Sequence, residues 1–273
     1  MMVHNNRLYP SWIDLLVILG IIFLANIVGG FSALLLPAGK PQGMLLGYSA
    51  GMTLAIAGVL LHRKLVGGEK PRCNRFNLRF DHVAVILWGL LLVVAVSVMI
   101  DPLTNLMPKE NYEQMTGMIG QGGWAVLMTV VAAPLFEETL FRGIIQNSAM
   151  RRWGDYGGLL IASVIFAVIH IVPVQIVGAF FVSLAIGYVY LRTRSLLAVM
   201  LIHAANNIIA MLQSSLSGGK MIPLSELVGN RRLYLFIYWS CVALCVTSVV
   251  FIILKSRPAK PDAGAQPANL PAE

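Results

Sequence analysis

Most of the ionisable side chains within apolar runs fall in three short stretches. The first reads Ala133-Pro134-Leu135-Phe136-Glu137-Glu138-Thr139-Leu140-Phe141-Arg142, the second Phe166-Ala167-Val168-Ile169-His170, and the third His203-Ala204-Ala205-Asn206-Asn207. All three lie inside apolar runs. A charge at mid-membrane costs about 2.5–3.5 kcal/mol on insertion scales, so such groups persist where they face protein partners or a water-filled cavity. A glutamate, two histidines and an asparagine suit hydrolysis of an amide. Glu137 can take a proton from water as a general base, and His170 can hold or share that water. His203 and an asparagine can donate to the oxyanion that forms at the carbonyl, one such donor being worth about 2.7–4 kcal/mol of barrier. The same ligand types could instead hold zinc with a position open to water. Blander roles stand beside these: a helix–helix ion network for Glu137, Glu138 and Arg142, packing for each histidine, and interhelical hydrogen bonding for Asn206 and Asn207.

Helical geometry sorts the roles. Glu138 and Arg142 are four residues apart and share a face, so they can pair. Glu137 lies about 100° around the helix from Glu138 and points elsewhere, toward Phe141. One glutamate therefore reads as structural and the other as free for chemistry. His203 and Asn207 also share a face. Asn206, three residues on from His203, can share it too, and spacing leaves the two asparagines open.

The elements that must position these groups are membrane spans. The chain is 58% hydrophobic and only 12% charged over 273 residues, with a mean hydropathy of +0.77. A soluble domain carries about 25% charged residues, so lipid is the solvent for much of this protein. Apolar runs at 12–36, 43–61, 83–100, 124–147, 158–172, 174–191, 196–212 and 233–254 predict an all-α, polytopic membrane protein of about eight transmembrane helices. At about 1.5 Å per residue, Glu137, His170 and His203 then lie roughly 15, 18 and 10 Å in from the same side, one layer on three helices. The basic residues set the orientation. Arg7, Arg63, Lys64, Lys70, Arg72, Arg75, Arg79, Arg151, Arg152, Arg192, Arg194, Lys255, Arg257 and Lys260 fall on one side. Lys40, Lys109, Lys220, Arg231 and Arg232 fall on the other. The positive-inside rule places the larger set, and both termini, in the cytoplasm.

That distribution accounts for the net charge of +8 and removes the need for a nucleic-acid partner. Membrane lipid is the expected partner, above all for the basic stretch 62–82, with its interleaved Phe76, Leu78 and Phe80. The first span reads as a retained helix rather than a cleaved signal, since its apolar stretch exceeds a signal's and no small-x-small site follows. Residues 1–257 form the transmembrane domain, with the motifs in 124–212. Residues 258–273, rich in Pro and Ala, read as a disordered cytoplasmic tail. Cys73, Cys241 and Cys245 fit neither a disulfide framework nor a zinc ribbon. No internal repeat is visible, which weakens a transporter reading, with the polar groups as a proton or ion relay.

Taken in order, Glu-Glu-x-x-x-Arg, Phe-x-x-x-His and His-x-x-x-Asn resemble the motifs of the CAAX prenyl protease and bacteriocin-processing family of intramembrane glutamic endopeptidases. Glu137, Glu138 and Arg142 match the first motif, Phe166 and His170 the second, His203 and Asn207 the third. The resemblance covers 124–212. It implies an eight-helix protease fold, Glu137 and His170 activating water without a cofactor, His203 and Asn207 as the oxyanion site, and Glu138, Arg142 and Phe166 as support. It favours Asn207 over Asn206. Older descriptions of the family made it zinc-dependent, an alternative left standing here. A peptide or membrane-protein substrate is expected, in a bacterial plasma membrane, where prenylated substrates would be absent. The rival from another class is a non-catalytic bacteriocin immunity or scaffold membrane protein.

Overall fold

The computed structural model describes residues 9–35, 41–66, 76–79, 83–118 and 122–256. Cys73, residues 67–75 and 80–82 of the basic stretch 62–82, and the tail 258–273 lie outside these. Every regular element among the described residues is helical. Helix α1 spans Trp12–Leu35, α2 Pro41–Val66 and α3 Val83–Met99, followed by the short α4 (Asp101–Thr104) and α5 (Lys109–Met118). A long helical run then covers Gly123–Val168. Within it come α6 (Gly123–Val126), a π-helical segment Leu127–Ala132, α7 (Ala133–Glu138), a second π-helical segment Thr139–Gln146, and α8 (Asn147–Val168). The last described elements are α9 (Pro173–Thr193), α10 (Leu196–Leu216), the short α11 (Leu224–Val228) and α12 (Arg231–Lys255).

Seven of the described helical stretches are long and apolar enough to cross a membrane, and the protein is an integral membrane protein. The count is seven rather than eight because the runs predicted at 124–147 and 158–172 form one stretch of 46 residues. Extended, that stretch would measure roughly 69 Å at 1.5 Å per residue, more than twice a hydrocarbon core. It is instead a hairpin. Gly154 breaks the helix with φ 74° and ψ 173°, a backbone conformation open to glycine and closed to most residues. Beyond the break the second arm folds back on the first, so that Phe166 packs edge-on against Phe141 with ring centres 4.9 Å apart. Gly158 lets the arms meet: a Cβ there would lie 2.4 Å from the Met150 backbone nitrogen. Backbone cannot swing aside, so Gly158→Ala should destabilise the fold by about 1–3 kcal/mol, the usual cost of overpacking. A thermal melt in detergent checks this.

The caps follow the sequence. Ser195 Oγ accepts from Ala198 N at 3.2 Å to start α10, and Asn230 Oδ1 accepts from Arg232 N and Leu233 N to start α12. Side chains are buried in two groups. One joins α1 and α2 to the hairpin through residues such as Ile18, Ile22, Met52, Phe141, Ile145 and Phe166. The other joins α3, α9, α10 and α12 through Val93, Ile186, Val189, Val199, Ile202 and Ile252. Outward-facing apolar side chains such as Phe23, Phe236 and Trp239 are exposed, as a lipid-facing surface requires. The polar residues of the three motifs sit where the two groups meet.

Part of the basic stretch is tied to the start of α10. The carbonyl of Asn77 accepts from Leu196 N at 2.8 Å. The carbonyl of Arg79 accepts from Ser195 Oγ at 2.6 Å.

Candidate active site

Glu138 and Arg142 carry the buried charge. Both are essentially without solvent exposure, and Arg142 Nη1 donates to Glu138 Oε1 at 3.0 Å. The guanidinium is further held by the Ser183 carbonyl at 3.2 Å and the Ser183 hydroxyl at 3.0 Å. Its carbon lies 5.0 Å from the centre of the Phe166 ring. A buried cation is tolerable only where acceptors meet it in this way. Glu138 Oε1 also faces His203 Nδ1 at 2.6 Å, so this one carboxylate ties the hairpin to α10.

Glu137 is placed differently. Its side chain keeps 14% of its surface exposed, and its Oε2 lies 3.8 Å from His203 Nε2. Its Oε1 accepts from the Tyr48 hydroxyl at 2.7 Å. The adjacent glutamates therefore diverge, as helical geometry requires, and His203 lies between them. The partner of Glu137 is Tyr48, on α2, rather than anything near Phe141 on its own helix.

His170 sits just past its helix, not inside it. Helix α8 ends at Val168, because Pro173 opens α9 and Val172 before it is extended at φ −85° and ψ 125°. The His170 Nδ1 lies 2.8 Å from the Phe166 carbonyl. A carbonyl only accepts, so Nδ1 carries the hydrogen and Nε2 keeps its lone pair. The two histidines flank one aromatic ring: Phe166 lies 5.1 Å from His170 and 6.2 Å from His203, centre to centre.

The two asparagines also part. Asn206 Oδ1 accepts from Ser97 Oγ of α3 at 3.1 Å. Asn207 Nδ2 donates to the Thr129 carbonyl at 2.7 Å. That carbonyl is open for a sequence reason. In the first π-helical segment, Ala133 N bonds five residues back, to Met128 O. The next such bond would need an N–H on residue 134, which is proline. Asn207 fills the gap and retains its second N–H for another acceptor. Direct contacts thus link Glu137, Glu138, Arg142, Phe166, His170 and His203 into one cluster. Asn207 stands apart from them, one turn along α10.

Residues 120–209 match the family model described as type II CAAX prenyl endopeptidase Rce1-like. Over these residues the chain is similar to that family. The match contains every residue of the cluster, and Asn207 as well, and covers about a third of the chain. No curated protein and no solved structure matches it.

Glu138 Oε1 is taken up by Arg142 and His203, and the guanidinium beside it repels a second cation. Among the described residues no group of three or more His, Cys, Asp or Glu side chains is arranged to hold a metal. Two contributors carried no legible sequence signal. Tyr48 bonds to a residue 89 positions away, and Ser183 holds Arg142 from 41 positions away. Tyr48→Phe keeps the ring, which packs edge-on to Phe136, and removes only the donor. If Glu137 is the base, this variant should lower kcat roughly tenfold or more with KM unchanged, the scale of one hydrogen bond to a charged group. Steady-state kinetics on a cleaved peptide checks it.

Proposed function

We propose that this chain is a membrane-embedded endopeptidase of the CAAX-protease type that hydrolyses a peptide or membrane-protein substrate without a metal. Water is activated by Glu137 with His170. His203 and Asn207 stabilise the oxyanion, and Glu138, Arg142 and Phe166 hold the frame. The observation that carries the reading is the division between the two glutamates. Glu138 is sealed in an ion network, whereas Glu137 has one oxygen anchored by Tyr48 and the other in the partly open space beside His203. A base must be held still and still reach water, and Glu137 meets both conditions. The free lone pair on His170 Nε2 suits a water hydrogen. The natural setting we propose is a bacterial plasma membrane with both termini in the cytoplasm.

The test compares purified wild type with Glu137→Gln on a panel of peptides and membrane proteins, with and without a strong chelator. Cleavage by wild type alone, indifferent to the chelator, is the expected result. Activity lost on chelation and restored by zinc would replace this account with a metalloprotease. A Glu137 variant that still protects cells from a bacteriocin would favour a non-catalytic role.

A further inference from the structure

Glu138 fixes more than the position of Arg142. Its Oε1 accepts from Arg142 Nη1 at 3.0 Å and faces His203 Nδ1 at 2.6 Å, while its Oε2 is buried with no partner among the described residues. A carboxylate already taking a guanidinium bond is an acceptor, so the hydrogen of His203 sits on Nδ1. In the neutral ring, Nε2 then carries only a lone pair. That nitrogen lies 3.8 Å from Glu137 Oε2, and the Phe166 ring stands edge-on to the imidazole at 6.2 Å. Neutral His203 in this tautomer has nothing to donate to an oxyanion. It gains an Nε2–H only by taking a second proton, and the glutamate that would remove a proton from water is beside it.

We propose that His203 is the proton carrier of the reaction, with Glu138 as the positioning residue that sets its tautomer; this rests on the hydrolytic role given to Glu137 above. In the first step Glu137 takes a proton from water, the hydroxide oxygen bonds to the scissile carbonyl carbon, and the C=O electron pair moves onto oxygen. The proton passes from Glu137 Oε2 to His203 Nε2, giving an imidazolium held between two carboxylates. The new Nε2–H faces the oxyanion. In the second step the C=O bond re-forms and the C–N bond breaks. The amine nitrogen takes the Nε2 proton as it leaves, so one water is consumed and His203 and Glu137 return to their starting states.

The best-cut peptide of the panel is compared with its depsipeptide, which has an ester oxygen in place of the scissile N–H. An alcohol leaves without prior protonation far more readily than an amine. His203→Gln should therefore lose about 10²-fold or more in kcat on the peptide, within the range for a positioned acid, and under about tenfold on the depsipeptide. Equal losses on both would overturn the proposal and leave His203 as an oxyanion donor alone. Glu137→Gln should lose about 10²-fold or more on both; if it cleaves either at the wild-type rate, the hydrolytic reading itself fails. If His203→Gln does not fold, the wild type decides. Its kcat on a series of substituted peptidyl anilides should depend only weakly on the basicity of the leaving amine. A steep dependence, meaning that the amine departs unprotonated, would contradict the proposal.

Discussion

Glu137→Gln is expected to lower kcat by about 10²–10⁴, the contribution of a positioned general base, while its melting temperature stays close to that of wild type. Glutamine has nearly the shape of glutamate, and its amide oxygen can still accept the Tyr48 hydroxyl that holds Glu137 Oε1 at 2.7 Å. Glu137 also keeps contact with solvent, so removing its charge leaves no buried partner stranded. Activity and stability should therefore separate at this position. A cleavage assay alongside a melt in the same detergent reads both.

Arg142→Met is expected to do the reverse in order of cause: the fold fails first. The variant leaves the Glu138 carboxylate fully buried with its cation gone, and it abandons the Ser183 carbonyl and hydroxyl. Breaking a buried ion pair from one side costs about 3–5 kcal/mol, a large part of the stability of most domains. Pairing it with Glu138→Leu removes the stranded charge, and stability should recover in part. Activity should not recover, because His203 has then lost the carboxylate 2.6 Å from its Nδ1. Melting temperature and cleavage rate on the single and double variants test both halves.

Much of this architecture is legible in the residues. Every predicted span falls on an observed helix, because about 20 apolar residues have few alternatives to crossing a membrane. The pairing of Glu138 with Arg142 and the divergence of Glu137 follow from 3.6 residues per turn. Other features are not local properties of the chain. The end of α8 at Val168, short of the predicted 172, reflects Pro173 acting on the residues before it. The π-helical segments on either side of the glutamates have one sequence cue, Pro134, and nothing in their composition marks the second. The bond from Tyr48 joins helices far apart in sequence, so one tyrosine in an apolar span carries no sign of its partner. Likewise Asn206 and Asn207 differ only by the helix each faces, α3 or the first π-helical segment, and spacing within α10 cannot tell them apart.

In the proposed reaction, water activated by Glu137 cuts a peptide bond. The most direct measurement is cleavage of a panel substrate by purified protein in ¹⁸O-labelled water, with the products weighed after a single turnover. Wild type should place one labelled oxygen in the new carboxyl terminus, Glu137→Gln should form that product at least about 10²-fold more slowly, and a chelator should change neither result. Labelled product formed by Glu137→Gln at the wild-type rate would contradict that reaction.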